Sequence, residues 1–409
     1  MISRIPFLKD ALSQNPPVDH FPGLLPEMEM ILRCINPAPA PAGDRDAAIK
    51  EIVKKGIDWN RLVKLALQHR VLPLLYKGLT KTDDSLLKQE EMAQLKSIYR
   101  HNALRNLRQA QNLHRVLELL SSEGIDVIVI KGPALAIQAY DDLSLRTFSD
   151  LDLLIHSKDF DKIYDTLTNA GFRSSFPLDK EMKRYWRLFR RDIGFCDDIS
   201  GIDIHHQLTQ GPKRISLKEK TWQNQGTAEL LFRDIPLLSP EHSLFCLSLH
   251  GTKDNWSYLK NPADMAHLVG RHPHLDWHSL IADVEDTGCL RMLLTGLILC
   301  RLICGLELPG EIAELLLSRP QVERSAGEYL HRMLAGKAKE DRLQGTFSLM
   351  RSMDSAGPRL SLLIHSLFIP TPVDWQSIKL PTFLYPLYCL IRPLRLFFKL
   401  LSRSLSYLL

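Results

Sequence analysis

At 409 residues the chain is long enough for two or three domains, so no single core need hold all of it. Hydrophobic residues at 45%, charged residues at 24% and a mean hydropathy of −0.11 exclude a disordered chain and a multispanning membrane protein alike. A formal net charge of +5 is too low for a groove that tracks a nucleic-acid backbone, yet it permits contact with single phosphates or anionic lipid.

Residues 1–43 are Pro-rich, with NPPVDHFPG and INPAPAPAG around one helical pattern at Pro26–Cys34, and are expected to pack as an irregular arm. Residues 44–124 read as a helical lobe. DRDAAIKEIVKKG ends at a glycine, and Asp58 is placed to cap WNRLVKLALQHRVLPLLYKGL. Asp83, Asp84 and Ser85 are placed to cap an amphipathic stretch reaching Ser121, in which Leu87, Met92, Leu95, Ile98 and Tyr99 recur at helical spacing. Gly124 ends the lobe.

Residues 125–238 form a mixed segment. Asp126 to Ile130 has the composition of a buried strand and stops at Lys131-Gly132-Pro133, where Pro133 suits the first turn of a helix running to Tyr140. The N–H groups at such a helix start suit a phosphate. Beyond Arg146, the stretch Ser149 to Ile155 alternates, so Asp150 and Asp152 project from one side of a strand while Leu151 and Leu153 enter the core on the other. Two carboxylates about 7 Å apart on one strand repel unless a cation sits between them, and Mg²⁺ takes such oxygen ligands together with substrate phosphates. Lys158 to Ala170 reads as a helix and is followed by a hairpin with a turn at Asp198-Ile199-Ser200-Gly201. In its second arm Asp203, His205 and Gln207 share one face, and Ile202, Ile204 and His206 the other. Asp203 on a neighbouring strand would complete a metal cluster; His206 is assigned to the core and His205 to the rim. Phe232 to Leu238 reads as an edge strand.

Residues 239–370 are helical again, with Pro240-Glu241 opening a helix and Asp276-Trp277 repeating the capped opening of Asp58-Trp59. The tail, residues 371–409, is rich in Leu, Phe and Tyr, with Arg392, Arg395, Lys399 and Arg403 interspersed and no acidic residue from Leu380 onward. Either it packs on the helical lobe and snorkels its cations to water, or it is a basic amphipathic helix in peripheral contact with the inner membrane face, Arg395, Lys399 and Arg403 recurring every four residues. The seven cysteines lack a C-x-x-C pair or a dense framework, and the first residues lack a signal-peptide pattern, so the expected location is the reducing cytoplasm.

Strand, Lys-Gly turn, helix, Arg146, Asp-x-Asp strand and later Asp-x-His strand resemble the polymerase β-type nucleotidyltransferase superfamily, and most of all the branch termed the uncharacterised nucleotidyltransferase family. In the wider superfamily a Ser follows the turn glycine, where this chain has Pro133. Asp58-Trp59 with His69-Arg70-Val71, and His250, Trp256, Asp264 and Asp276-Trp277, are similar to the flanking helical segments of that branch, so the resemblance runs from roughly Gly56 to Pro309. It implies an α+β fold, a small polymerase β-like sheet domain flanked by N- and C-terminal helical lobes. It also implies transfer of a nucleoside monophosphate from an NTP to a small-molecule, peptide or protein acceptor, with release of pyrophosphate and dependence on two Mg²⁺ ions that Mn²⁺ could replace. Nucleic acid is not an expected partner. Asp150, Asp152 and Asp203 would be the catalytic metal ligands, and Lys131, Gly132 and Arg146 would bind the nucleotide. His250, Lys253 and Lys260 lie where a helical lobe could close over it. The alternative is a non-catalytic nucleotide-binding or scaffold protein of a biosynthetic cluster, which would bind NTP and release no pyrophosphate.

Overall fold

Pro26 opens the first helix of the computed structural model, which describes residues 23–37, 42–82, 87–208, 214–335 and 348–406. Helix α1 (Pro26–Cys34) buries Met28, Met30, Ile31 and Leu32. After α2 (Ala42–Lys54), the Asp58 carboxylate caps α3 (Trp59–Gln68) by accepting the Arg61 N–H at 3.0 Å. The pattern that reads as one helical run from Trp59 is two helices, because Arg70 takes a φ of 59° and Pro73 opens α4 (Leu72–Leu79). Helix α5 (Gln89–Ser122) is 34 residues long. The cap expected at Asp83, Asp84 and Ser85 lies outside the described residues.

A seven-stranded mixed sheet follows, so the protein is α+β. Strand β1 (Val127–Val129) leads through α6 (Pro133–Tyr140) to β2 (Asp150–Ile155), and α7 (Phe160–Asn169) leads to a short β3 (Arg173–Ser174). Helix α8 (Lys180–Phe189), capped by Asp179, precedes the hairpin of β4 (Asp192–Cys196) and β5 (Gly201–His205). Helix α9 (Arg214–Gln223) leads to a second hairpin, β6 (Gly226–Leu230) and β7 (Arg233–Leu237). The order across the sheet is β3-β4-β5-β2-β1-β7-β6. The expected edge strand at Phe232 to Leu238 is therefore interior: β7 pairs in parallel with β1, and β6 takes the edge. Local pattern had shown neither α8 nor β3.

Alternation sorts the sheet into two faces. Val127, Val129, Leu151, Leu153, Ile193, Phe195, Ile202 and Ile204 pack with α5 and α7 side chains in one apolar cluster. Asp150, Asp152, Asp203 and His205 point the other way, since they alternate with those core residues along β2 and β5.

The remaining helices are α10 (Pro240–Lys253), α11 (Lys260–Arg271), α12 (Trp277–Thr287), α13 (Leu290–Cys304), α14 (Gly310–Leu317) and α15 (Pro320–Leu334). Their core residues, among them Phe245, Met265 and Leu293, join those of α1, α3 and α4, such as Ile31, Leu62 and Leu75, in a single apolar cluster. Helices from both ends of the chain thus build one body beside the sheet. At the C-terminal end, after α16 (Ala356–Phe368), the segment of α17 (Pro372–Ser377), a 3-10 turn (Thr382–Leu387) and α18 (Tyr388–Ser406) sends Trp375, Tyr385 and Tyr388 into the sheet's own core. Arg395, expected on a lipid-facing stripe, donates from Nε to buried Asp374 at 2.6 Å; the side chains of Lys399 and Arg403 lie outside the described residues. Among the described residues no helix is long and apolar enough to cross a membrane.

Candidate active site

Strands β2 and β5 run parallel with Asp152 directly paired to Asp203, and Asp150 paired to Gly201. Paired positions on adjacent strands share a face, so the two carboxylates are neighbours by construction. Asp152, Asp203 and His205 offer ligand atoms that all lie within 4.8 Å of one another. Asp150 sits two residues along the same face, half-buried and outside that group. Gly194 on β4 keeps the space open: a Cβ there would stand 3.2 Å from Asp203 Oδ1.

The charges in this cluster do not balance. Asp152 is 5% exposed, and its Oδ1 lies 3.0 Å from both Lys131 Nζ and His205 Nε2. Burial works against its charge, but Lys131 and His205 outweigh burial and hold the carboxyl well below the usual carboxylate range. Asp203 goes the other way: burial raises it, and the neighbouring Asp152 charge raises it further. A cation beside Asp203 would relieve both effects. The donor set, two carboxylates opposed across paired strands with an imidazole alongside, fits a divalent metal, the carboxylates suiting Mg²⁺ or Mn²⁺.

The turn is built on Gly132, whose φ of 64° and ψ of −128° glycine adopts without strain, and whose missing Cβ would meet the Asp150 carbonyl at 3.1 Å. Arg146 clamps that turn. It is 4% exposed, donates from Nε to Asp264 Oδ2 at 2.9 Å and from Nη1 to the Gly132 carbonyl at 3.3 Å. Tyr140 donates to the other Asp264 oxygen at 2.7 Å. Helix α5 fixes the approach to β2 with a row of buried amides: Asn106 donates to the Leu143 and Arg146 carbonyls at 2.6 and 2.7 Å, and Asn102 to Ser144 at 3.0 Å. Asn112 reaches Ser200 Oγ at 2.6 Å, so one helix positions the starts of both acid-bearing strands.

Helices α10 and α11 bring further basic groups. Burial, then the charges of Lys131 and Lys260, push His250 well below its ordinary value. Lys260 is 8% exposed, its Nζ has no hydrogen bond or ion pair among the described residues, and burial and Arg146 push it down to about 7. Lys253 is lowered by burial and Arg191. Lys131, Lys253, Lys260 and Arg146 are thus within electrostatic reach of one another or of His250, an excess of cations suited to a polyanion. A separate cleft of about 1110 Å³, lined by Tyr140, His267 and Arg271 among others, includes none of the three acids.

The family model described as uncharacterised nucleotidyltransferase matches residues 55–305. The chain belongs to this family. As an uncharacterised nucleotidyltransferase the protein is a transferase. Among solved structures it is similar to the lincosamide antibiotic adenylyltransferase LnuA bound to lincomycin, at 16% identity over 39% of this chain and 94% of that one, with a TM-score of 0.29. It is also similar to the antibiotic-resistance factor ANT(2'')-Ia, at 13% identity over 55% and 96% with a TM-score of 0.27. A nucleotidyltransferase-like antigen from Paracoccidioides brasiliensis shares 16% identity over 54% and 92%, with a TM-score of 0.29. No curated protein matches.

Of the residues expected at the site, the structure brings Asp152, Asp203 and Lys131 together, sets Asp150 beside them, and engages Arg146 with Asp264 and the Gly132 carbonyl. His205 is closer to the acids than its expected rim position implied. The α5 amides were overlooked, although Asn102, Asn106, Gln109 and Asn112 recur at helical spacing, a polar stripe where a helix of a core would carry apolar residues.

Proposed function

We propose that this nucleotidyltransferase moves a nucleoside monophosphate from an NTP to a small-molecule, peptide or protein acceptor and releases pyrophosphate. The reading is carried by Asp152 and Asp203 opposed in register on parallel strands, the first held below the usual carboxylate range by Lys131 and His205 against its burial, the second raised by burial and by the Asp152 charge. Asp150, Asp152 and Asp203 would hold two Mg²⁺ ions, or Mn²⁺ in their place, with His205 orienting Asp152. When bound, such ions lower the pKa of an attacking group and stabilise charge in an in-line displacement. Lys131 and the Gly132 turn would meet the triphosphate directly. Arg146 would act by holding the turn, because its guanidinium is committed to Asp264 and the Gly132 carbonyl. Lys253 and Lys260 would close on the phosphates from α10 and α11. The modest net charge and the absence of any basic stripe in the sequence near the acids favour a non-nucleic-acid acceptor.

We read residues 125–238 as the catalytic domain, 44–124 and 239–370 as helical lobes that also pack on each other, 1–43 as an arm whose α1 packs into that helical body, and 371–409 as a tail anchored in the sheet's core. The seven free cysteines support a reducing compartment, which we take to be the cytoplasm. The reading is tested by incubating the protein with labelled NTPs and Mg²⁺ or Mn²⁺ against cell extract. A labelled acceptor with pyrophosphate release supports it. A second reading, nucleotide binding without transfer, draws on the Lys131–Asp152 ion pair, which already neutralises one acid. It predicts saturable NTP binding with no pyrophosphate under any acceptor.

A further inference from the structure

The chain's net charge is confined to one segment. From Ser355 to Leu409 the sequence carries Arg359, Lys379, Arg392, Arg395, Lys399 and Arg403 against a single acid, Asp374, a surplus equal to the +5 of the whole chain. Everything before Ser355 is neutral on balance. Asp374 is fully buried and bound by Arg392 and Arg395, so this segment turns no acidic side chain to solvent.

The same segment exposes apolar surface in helical register. On α16, Leu360, Ile364 and Leu367 are 57%, 49% and 37% exposed, and on α18, Leu390, Leu394 and Phe397 are 62%, 59% and 57% exposed. Each set recurs at i, i+4 and i+7, one stripe along one helix face. The two helices pack on one another, so the stripes belong to one region. This is no loose tail. Tyr388 of α18 is buried in the sheet's core, and His365 of α16 bonds the Phe189 carbonyl at 3.1 Å. Anchored helices that show apolar stripes to solvent mark an interaction site rather than an unfinished core.

We propose that α16 and α18 form a surface that seats the protein on an anionic lipid bilayer, the stripes entering the boundary between headgroups and acyl chains and the net positive charge of the segment drawing it to the anionic surface. Charge decides between partners: two copies would oppose +5 to +5, whereas an anionic bilayer complements both the charge and the apolar stripes. With no helix able to span among the described residues, the contact lies in the interface plane. The inference concerns a different part of the chain from the nucleotide chemistry and does not depend on it.

The test is sedimentation of the full chain with vesicles of phosphatidylcholine alone or mixed with phosphatidylglycerol. We expect co-sedimentation with the mixed vesicles at low salt, its loss at high salt, and little binding to phosphatidylcholine alone. The variant Leu390→Glu/Leu394→Glu/Phe397→Glu should bind about tenfold less or worse, with an unchanged circular dichroism spectrum, since all three positions are exposed. Lys379→Glu, a single exposed charge reversal, should weaken binding measurably and serves if the triple variant misfolds. Failure of the parent to bind mixed vesicles at low salt overturns the proposal. So does equal binding to both vesicle types, or a dimer in light scattering that the triple variant dissolves while vesicle binding is nil.

Discussion

Asp152 and Asp374 are both buried carboxylates held below the usual range by nearby donors, yet their surroundings differ in a way that separates function from structure. Asp374 accepts the Thr371 N–H at 2.7 Å and its hydroxyl at 2.6 Å, Arg392 at 2.9 Å and Arg395 at 2.6 Å, spread over both oxygens. Its demands are met within the fold. Asp152 has both partners, Lys131 and His205, on one oxygen and a second acid across the strand pair whose ionisation it opposes. A satisfied carboxylate closes a structure, whereas one with an unneutralised neighbour asks for a cation from outside.

The comparison can be broken most sharply at the acids. Asp152→Asn and Asp203→Asn should each lower pyrophosphate release by about a hundredfold or more, the scale of removing one electrostatic contact from an active site. Thermal unfolding of metal-free Asp203→Asn should shift upward, because the wild-type acid costs stability at neutral pH when its folded pKa is raised. An unaltered rate in either variant would reduce the pair to acids with no part in the chemistry.

Asp374→Ala should do the opposite, costing about 3–5 kcal/mol of stability by removing the buried acid that Arg392 and Arg395 share, with NTP affinity kept in the fraction that stays folded. Denaturant titration checks this. Asp374 has a depressed folded pKa, so its contribution is complete above the carboxyl's ordinary value and fades as pH falls through and below that range. Asp374→Asn should flatten that acid limb.

Smaller effects concern the turn and the closing lysine. Gly132→Ala forces a side chain into positive φ and against the Asp150 carbonyl, and should weaken NTP binding by about 1–3 kcal/mol, read by calorimetry. Lys260 stands near neutrality in the free protein, and a triphosphate would raise it, so binding above pH 7 should take up a proton and weaken as pH rises. Calorimetry in buffers of different ionisation enthalpy measures the uptake; Lys260→Met should abolish it.

Local pattern carried much of this architecture. The caps at Asp58 and Asp276, the alternation that turns Asp152 and Asp203 away from Leu151 and Ile202, and the β4–β5 hairpin all follow from neighbours in sequence. Partnership across distance did not. Arg146 and Asp264 are 118 residues apart, and no periodicity links them. Arg395 falls on a regular stripe with Lys399 and Arg403, but a buried acid 21 residues upstream takes its guanidinium. The position of β7 beside β1 likewise depends on a non-local parallel pairing, to which a strand's own composition is blind.

The most direct measurement is Mn²⁺ binding followed by electron paramagnetic resonance, with ATP present, in the wild type, Asp203→Asn and Asp374→Asn. Metal coordination by Asp152 and Asp203 predicts tight binding in the wild type, affinity at least about tenfold weaker in Asp203→Asn, and no change in Asp374→Asn measured where it remains folded. Equal Mn²⁺ affinity in the wild type and Asp203→Asn would contradict it.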